Sequence, residues 1–266
     1  MTATSPSQVP LAGSTTVKSP TFDGSINWFT IGNVAFTRHL VHSGQDQFED
    51  QDLAVMGQTL AFVAKGLAGQ GVGVRFGVER PLGSDDPQGL VIAQTAGLSP
   101  IGAAVVMRSK IPMESGLTPS ATGRPASPDG DRAGWISLVT AITGLEPVND
   151  MAGIPAEPGD RVAVVDHPNG DGLAGFCWAR RIASGPGSPG TAEVIEMGTD
   201  PSLDPAEAAD VEQAAMAALA AMLEADGVRT LAVCVDGRLP GLDERLAAMG
   251  FVARRLRHTY APVPPA

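Results

Sequence analysis

Thr191-Ala-Glu-Val-Ile-Glu-Met-Gly198, then Asp204-Pro-Ala-Glu207 running on to Ala225, then Arg229-Thr-Leu-Ala-Val-Cys-Val-Asp236 decide how this chain is read. The outer two pieces are short, rich in β-branched residues and bounded by turn formers, which predicts strands. The middle piece predicts a long helix with marked ends. Asp204 is placed as its N-cap, Pro205 fits the first turn where a missing N–H costs nothing, and Glu207 stands three residues on as in a capping box. Val211, Ala215, Ala218, Leu219, Met222 and Leu223 share one helical face, and Gly227 supplies a left-handed turn. Pro240 to Met249 predicts a shorter helix, Gly250-Phe251 the turn after it, and the residues up to Tyr260 a last strand.

Upstream, Arg161-Val-Ala-Val-Val-Asp166 and Leu173-Ala-Gly-Phe-Cys-Trp-Ala-Arg-Arg-Ile182 read as two strands joined by the turn His167 to Gly172. With these, the order from Asp160 to Tyr260 resembles the GNAT superfamily of N-acyltransferases. The resemblance implies an α/β (α+β) fold, a mixed, mostly antiparallel sheet with packed helices, and acyl-CoA as cofactor with a small-molecule amine as acceptor. It also places site residues. Glu193 and Glu196 occupy the strand that carries a general base in the family. Met197, Thr199 and Asp204 occupy the region of its CoA loop.

That loop departs from the family pattern, which is Gln or Arg, two residues, Gly, one residue, then Gly or Ala. Gly198-Thr-Asp200-Pro-Ser-Leu-Asp204-Pro-Ala-Glu207 has no glycine after Gly198, no Gln or Arg, and two prolines. Glu196, Asp200, Asp204, Glu207, Asp210 and Glu212 put six acids and no base across this stretch, which repels a pyrophosphate. Leu246 stands where many members carry a Tyr that protonates the leaving thiolate, and the only tyrosine is Tyr260. Asp236-Gly237 replaces the family's common Asn. His167 and His258 are candidate assistants to a glutamate base. Arg254, Arg255 and Arg257 form a basic patch expected to pair with the acidic helix.

The expectation is therefore a diverged N-acyltransferase-type domain with weak or no acyl-CoA binding, acetyl-CoA or another acyl-CoA being its cofactor if it is active. The alternative is a non-catalytic structural or protein-interaction protein on the same scaffold, working through a protein partner or an oligomer.

Composition narrows the field. Apolar residues make up 43% of the 266, enough for a core, while aromatics at 5% require it to be built from Ala, Val, Leu and Met. Residues 1–131 carry 8 basic and 11 acidic groups and residues 132–266 carry 10 and 18, so the formal charge of −11 divides as −3 and −8. That balance argues against nucleic-acid or anionic-membrane binding, which needs a basic surface. No apolar run has the length of a membrane span. Cys177 and Cys234 sit within apolar strand patterns and are expected as reduced thiols, hence a cytoplasmic location.

Four parts are expected along the chain. Residues 1–20, Ser/Thr/Pro-rich, read as a flexible tail. Residues 21–113 read as a smaller α+β region, with a helix from Asp52 to Leu67, a strand from Val74, and two further strands at Gly89 to Thr95 and Ile101 to Ser109. Glycines 66 to 73 follow a helix and precede a strand, the wrong polarity for a phosphate loop, and read as a cap and turn. Residues 114–131, rich in Gly, Pro, Ser and Thr, read as a linker or long loop, and residues 132–262 as the GNAT-like domain opening with a helix from Arg132 to Glu146. His39 and His42 would share a helical face, but the ligand set is incomplete and no metal site is expected.

Overall fold

The computed structural model describes residues 12–19, 23–31, 34–41, 48–113, 119–144, 153–156, 159–170, 172–182, 190–235 and 241–262. The chain divides into two compact units. One comprises Met1–Val105 together with Arg255–Ala266, the other Val106–Arg254.

In the first unit, β1 (Ala12–Lys18), β2 (Asp23–Ile31) and β3 (Val34–Val41) form an antiparallel meander. The helix α1 (Asp50–Ala68) then leads to β4 (Gly73–Pro81), which pairs parallel with β3, and α2 (Pro87–Thr95) leads into β5 (Leu98–Lys110). The terminal strand β11 (Val252–Pro262) returns to this unit, giving the order β1-β2-β3-β4-β11-β5. Leu53, Met56 and Leu60 of α1 pack on Val17, Ile26, Phe76, Ile92, Leu98 and Tyr260. The two helices meet at Gly57, where a Cβ would come within 2.4 Å of Thr95, so this helix interior tolerates its glycine for close packing.

Three expectations for this region are corrected. Residues 12–18 are not tail but strand: Thr15, Thr16 and Val17 supply β-branched side chains to β1, and Val17 is buried. Gly89 to Thr95 is helix, not strand. The Asp86 carboxylate accepts the N–H of Gly89 at 3.0 Å and Pro87 opens the first turn, a start signal that outweighs the β-branched pair Val91-Ile92. His39 lies on the strand β3, not on a helix. His42 lies outside the described residues.

The second unit contains the end of β5, then β6 (Gly123–Pro125), α3 (Arg132–Thr143), β7 (Asp160–Asp166), β8 (Leu173–Ile182), β9 (Gly190–Thr199), α4 (Pro205–Ala225), β10 (Val228–Val235) and α5 (Leu242–Ala248). Its sheet runs β5-β10-β9-β8-β7-β6, antiparallel from β6 to β9 and parallel between β9 and β10. The mixed, mostly antiparallel sheet is as the sequence predicts. The apolar stripe of α4 is turned slightly: Val211, Ala214, Ala215, Met216, Leu219, Ala220 and Leu223 are buried, while Ala218 and Met222 are half-buried.

The same order occurs twice. β1-β2-β3-α1-β4-α2-β5 matches β7-β8-β9-α4-β10-α5-β11. The repeat reaches single residues. Gly71-Val72 and Gly227-Val228 end the long helices, and Gly97-Leu98 and Gly250-Phe251 end the short ones. All four glycines have φ between 73° and 87°, and the apolar residue after each is buried. The GNAT-like order thus extends into the half where the sequence suggested only a smaller α+β region.

Residues 119–131 of the expected linker are built into the second unit. Asp210 of α4 accepts from the N–H groups of Ser120 and Ala121, both at 2.8 Å. Arg124 on β6 bridges Asp131, the residue before α3, and Asp166 at the end of β7. The Arg124 guanidinium, hydrogen-bonded to both, holds the two carboxyls below the usual carboxylate range. Depressed folded-state values give stability that is present above the unfolded values and lost as pH falls through the folded ones. Arg124→Met should therefore lower the urea midpoint near pH 6, with the gap to wild type narrowing as pH drops below about 4. A gap independent of pH would show that the bridge contributes nothing through charge.

Candidate functional site

The second unit's sheet opens along one line. β9 and β10 pair from Gly190/Val228 to Val194/Val233, where the pairing ends although both strands continue. At this point β9 carries a bulge: Val194 faces Ala179 and Glu196 faces Trp178, leaving Ile195 as the extra residue. Beyond it β9 stays with β8 as far as Thr199/Gly175. The strands β9 and β10 therefore part at Ile195, and Met197 and Thr199 lie on the parting stretch.

The bulge also sets the face of the two glutamates. Three residues apart on a regular strand they would point oppositely; the extra residue puts both on the face of their partners Arg180 and Trp178. Glu193 is 6% exposed, and its Oε1 lies 3.9 Å from the Cys234 thiol, which donates to it. Glu196 is exposed. Beside Glu193, Arg180 makes a two-pronged pair with Asp160, at 2.6 and 2.8 Å, and its guanidinium stands 5.7 Å from the Trp178 ring centre. On the same face α3 covers the strand, Trp135 meeting Phe176 at 4.6 Å between ring centres. The Trp178 indole N–H is buried with no partner among the described residues.

The opposite face belongs to α4, which presses so closely that a Cβ on Gly175 would meet Val211 at 2.4 Å. Cys177 faces it, and burial pushes its thiol far above the ordinary thiol range. Both cysteines are free thiols.

The start of α4 is closed by its own carboxylates. Asp204 Oδ1 accepts from the N–H groups of Ala206 and Glu207, each at 2.9 Å, and the Glu207 carboxylate accepts from Asp204 N–H at 3.3 Å. Pro205 has no N–H to give. The Asp200 carboxylate accepts the N–H of Ser202 at 2.8 Å, and that bond is the largest cause holding it below the usual range. The donors that make a helix N-terminus an anion site are satisfied within the chain. In the first unit α1 repeats the device: Asp52 accepts from Glu49 N–H at 3.3 Å, with Asp50 in the same turn.

Among the other residues singled out in the sequence, His167 follows β7 at the end remote from Asp160, about 20 Å along the strand from the row that holds Glu193. It lies by Asp200 instead. His258 belongs to the first unit and contacts the Ser84 carbonyl. Leu246 is buried in α5. The Tyr260 hydroxyl donates to Asp86 in the first unit, where burial raises its ionisation above the usual phenol range. Arg257 pairs with Glu79, and the α4 acid Glu212 takes Arg245. Asp236 and Gly237 lie outside the described residues. No group of side chains suited to a metal occurs among the described residues.

The fold is shared with solved structures. The chain matches a GCN5-related N-acetyltransferase from Kribbella flavida with a TM-score of 0.61 and 13% identity, covering 94% of this chain and 90% of that one. It matches a tandem GNAT protein from the clavulanic acid biosynthesis pathway at 0.56 and 16%, covering 97% and 85%. A GCN5-related N-acetyltransferase from Sphaerobacter thermophilus matches at 0.55 and 14%, covering 91% and 78%. The fold is GNAT-like. No family model matches the sequence, and no curated protein does. At such identities the likeness is one of fold, and the start of α4 is where the sequence resemblance leads one to expect a CoA loop. The sequence shows the acids there; it does not show that each is already bonded to the backbone it caps.

Proposed function

We propose that this protein is a diverged N-acyltransferase-type protein that binds acyl-CoA weakly or not at all. One observation carries the reading: the N–H groups at the start of α4 that would hold a CoA pyrophosphate are taken by Asp204, with Pro205 lacking one. A phosphate brought there has to displace a carboxylate and then sit among Asp200, Asp204 and Glu207, at a cost that a helix dipole of about half a charge does not offset. Two free thiols fit a reducing, cytoplasmic setting. Its work then falls to contacts with a protein partner, on a scaffold kept for its shape.

Titration calorimetry with acetyl-CoA tests this. Binding is expected to be weaker than about 1 mM, a level worth roughly 4 kcal/mol. Micromolar binding would restore the enzyme reading. Glu193 would then be the base to replace before Glu196, because its buried position beside the Cys234 thiol, two residues before β9 and β10 part, suits proton transfer. An amine would be the acceptor.

A further inference from the structure

The second half of β4 has a peculiar supply of partners. Its pairing with β3 ends at Gly77/Arg38. From Val78 to Pro81 its ladder is made with His258, Arg257, Leu256 and Arg255. These lie 174 to 180 positions further along the chain, and the side-chain bonds Tyr260–Asp86 and Arg257–Glu79 accompany the ladder. Side chains reinforce the backbone. Tyr260, 3% exposed, enters a core cluster otherwise drawn from Val17 to Leu98, its ring 6.0 Å from that of Phe76. Its hydroxyl meets Asp86 at 3.1 Å, the same carboxylate that caps α2 through Gly89 and holds Arg80 at 2.7 Å. Arg257 and Glu79 pair at 2.6 Å with side chains only 13% and 16% exposed.

We infer that residues 255–262 are a donor strand seated between β4 and β5, in a groove of the first unit shaped for an extended segment with this alternation of Arg257 and Tyr260. The reason is backbone accounting. Without the segment, the backbone groups of the half-buried Val78 to Arg80 that face it lose their ladder, and backbone donors and acceptors held away from water are almost always paired. Asp86 would at the same time lose a hydroxyl that helps to orient the cap of α2. The first unit is thus completed only by the last strand of the chain. The groove is a peptide-binding site whose occupant is the chain's own C-terminal strand, recognised by main-chain bonds for affinity and by side-chain pockets for register.

Hydrogen exchange on the full-length protein tests the assignment. In Arg257→Ala/Tyr260→Ala, amides of Val78–Arg80 and of α2 should lose protection by at least about tenfold while those of α4 and β8 stay within about twofold. A synthetic peptide of residues 252–262, added in trans, should restore that protection saturably. Equal loss in both units, no loss, or no rescue by the peptide would overturn the inference. Should the double variant unfold throughout, Tyr260→Phe decides, since it removes only the bond to Asp86. Loss confined to α2 supports the donor strand, whereas loss spread to α4, or none, refutes it.

Discussion

Asp160→Ala should lower the unfolding free energy by about 3–5 kcal/mol, the range for removing one partner of a buried ion pair. The Asp160 side chain is fully buried and that of Arg180 is 13% exposed, so truncating the carboxylate leaves a desolvated guanidinium behind. The pair is two-pronged, which makes its geometry specific as well as strong. Its neighbour across the sheet is Glu193, the register partner of Arg180. Two further variants separate charge from shape. Asp160→Asn keeps the volume and one acceptor and should cost less. Asp160→Leu/Arg180→Met removes both charges and should lie close to wild type, because a buried pair gains little over apolar residues of similar size. Urea midpoints for the three variants check the order. An Asp160→Ala midpoint within about 1 kcal/mol of wild type would mean that Glu193 takes over the guanidinium, and the row Asp160, Arg180, Glu193 would then be one shared network.

How much of this was legible depends on whether the signal is local. The cap of α4 was fully readable, since Asp204, Pro205 and Glu207 act on backbone within three residues. The turns at Gly227 and Gly250 were readable for the same reason. The start of α2 was also written locally, in Asp86-Pro87, but the β-branched pair Val91-Ile92 pointed to a strand, and a one-turn cap weighs little against a propensity pattern until its bond to Gly89 is seen. β1 was hidden because Ser and Thr make a strand only when a neighbour such as β2 supplies the ladder. The features that shape the site are registers. The bulge at Ile195 is a count of residues on β9 against β8, and the end of pairing at Val194/Val233 is a relation between two strands. The partnership of β4 with β11 joins residues more than 170 positions apart. No periodicity along one segment encodes such relations, so glutamates 193 and 196 could be placed on a strand but not on a common face.

Leu219→Ala should cost about 3–5 kcal/mol, the upper part of the range for emptying a buried leucine site. Leu219 is fully buried on α4, in the middle of the face that rests on β7, β8 and β9. Whether such a cavity collapses depends on its walls, and here the walls are close backbone. A Cβ on Gly175 would meet Val211 at 2.4 Å, and one on Gly123 would meet the Ala214 carbonyl at 2.3 Å. Helix and sheet already touch at these two glycines in the turns that precede Leu219, so there α4 has no room to settle further onto the strands. Alanines 215 and 220 are too small to swing into the space. The lost dispersion contacts are therefore not recovered, which is what separates expensive cavities from cheap ones. Glu224→Ala, on the exposed side of the same helix, should stay within about 0.5 kcal/mol. Urea denaturation of the two variants side by side checks the contrast; equal midpoints would show that the helix lies on the sheet by a different face.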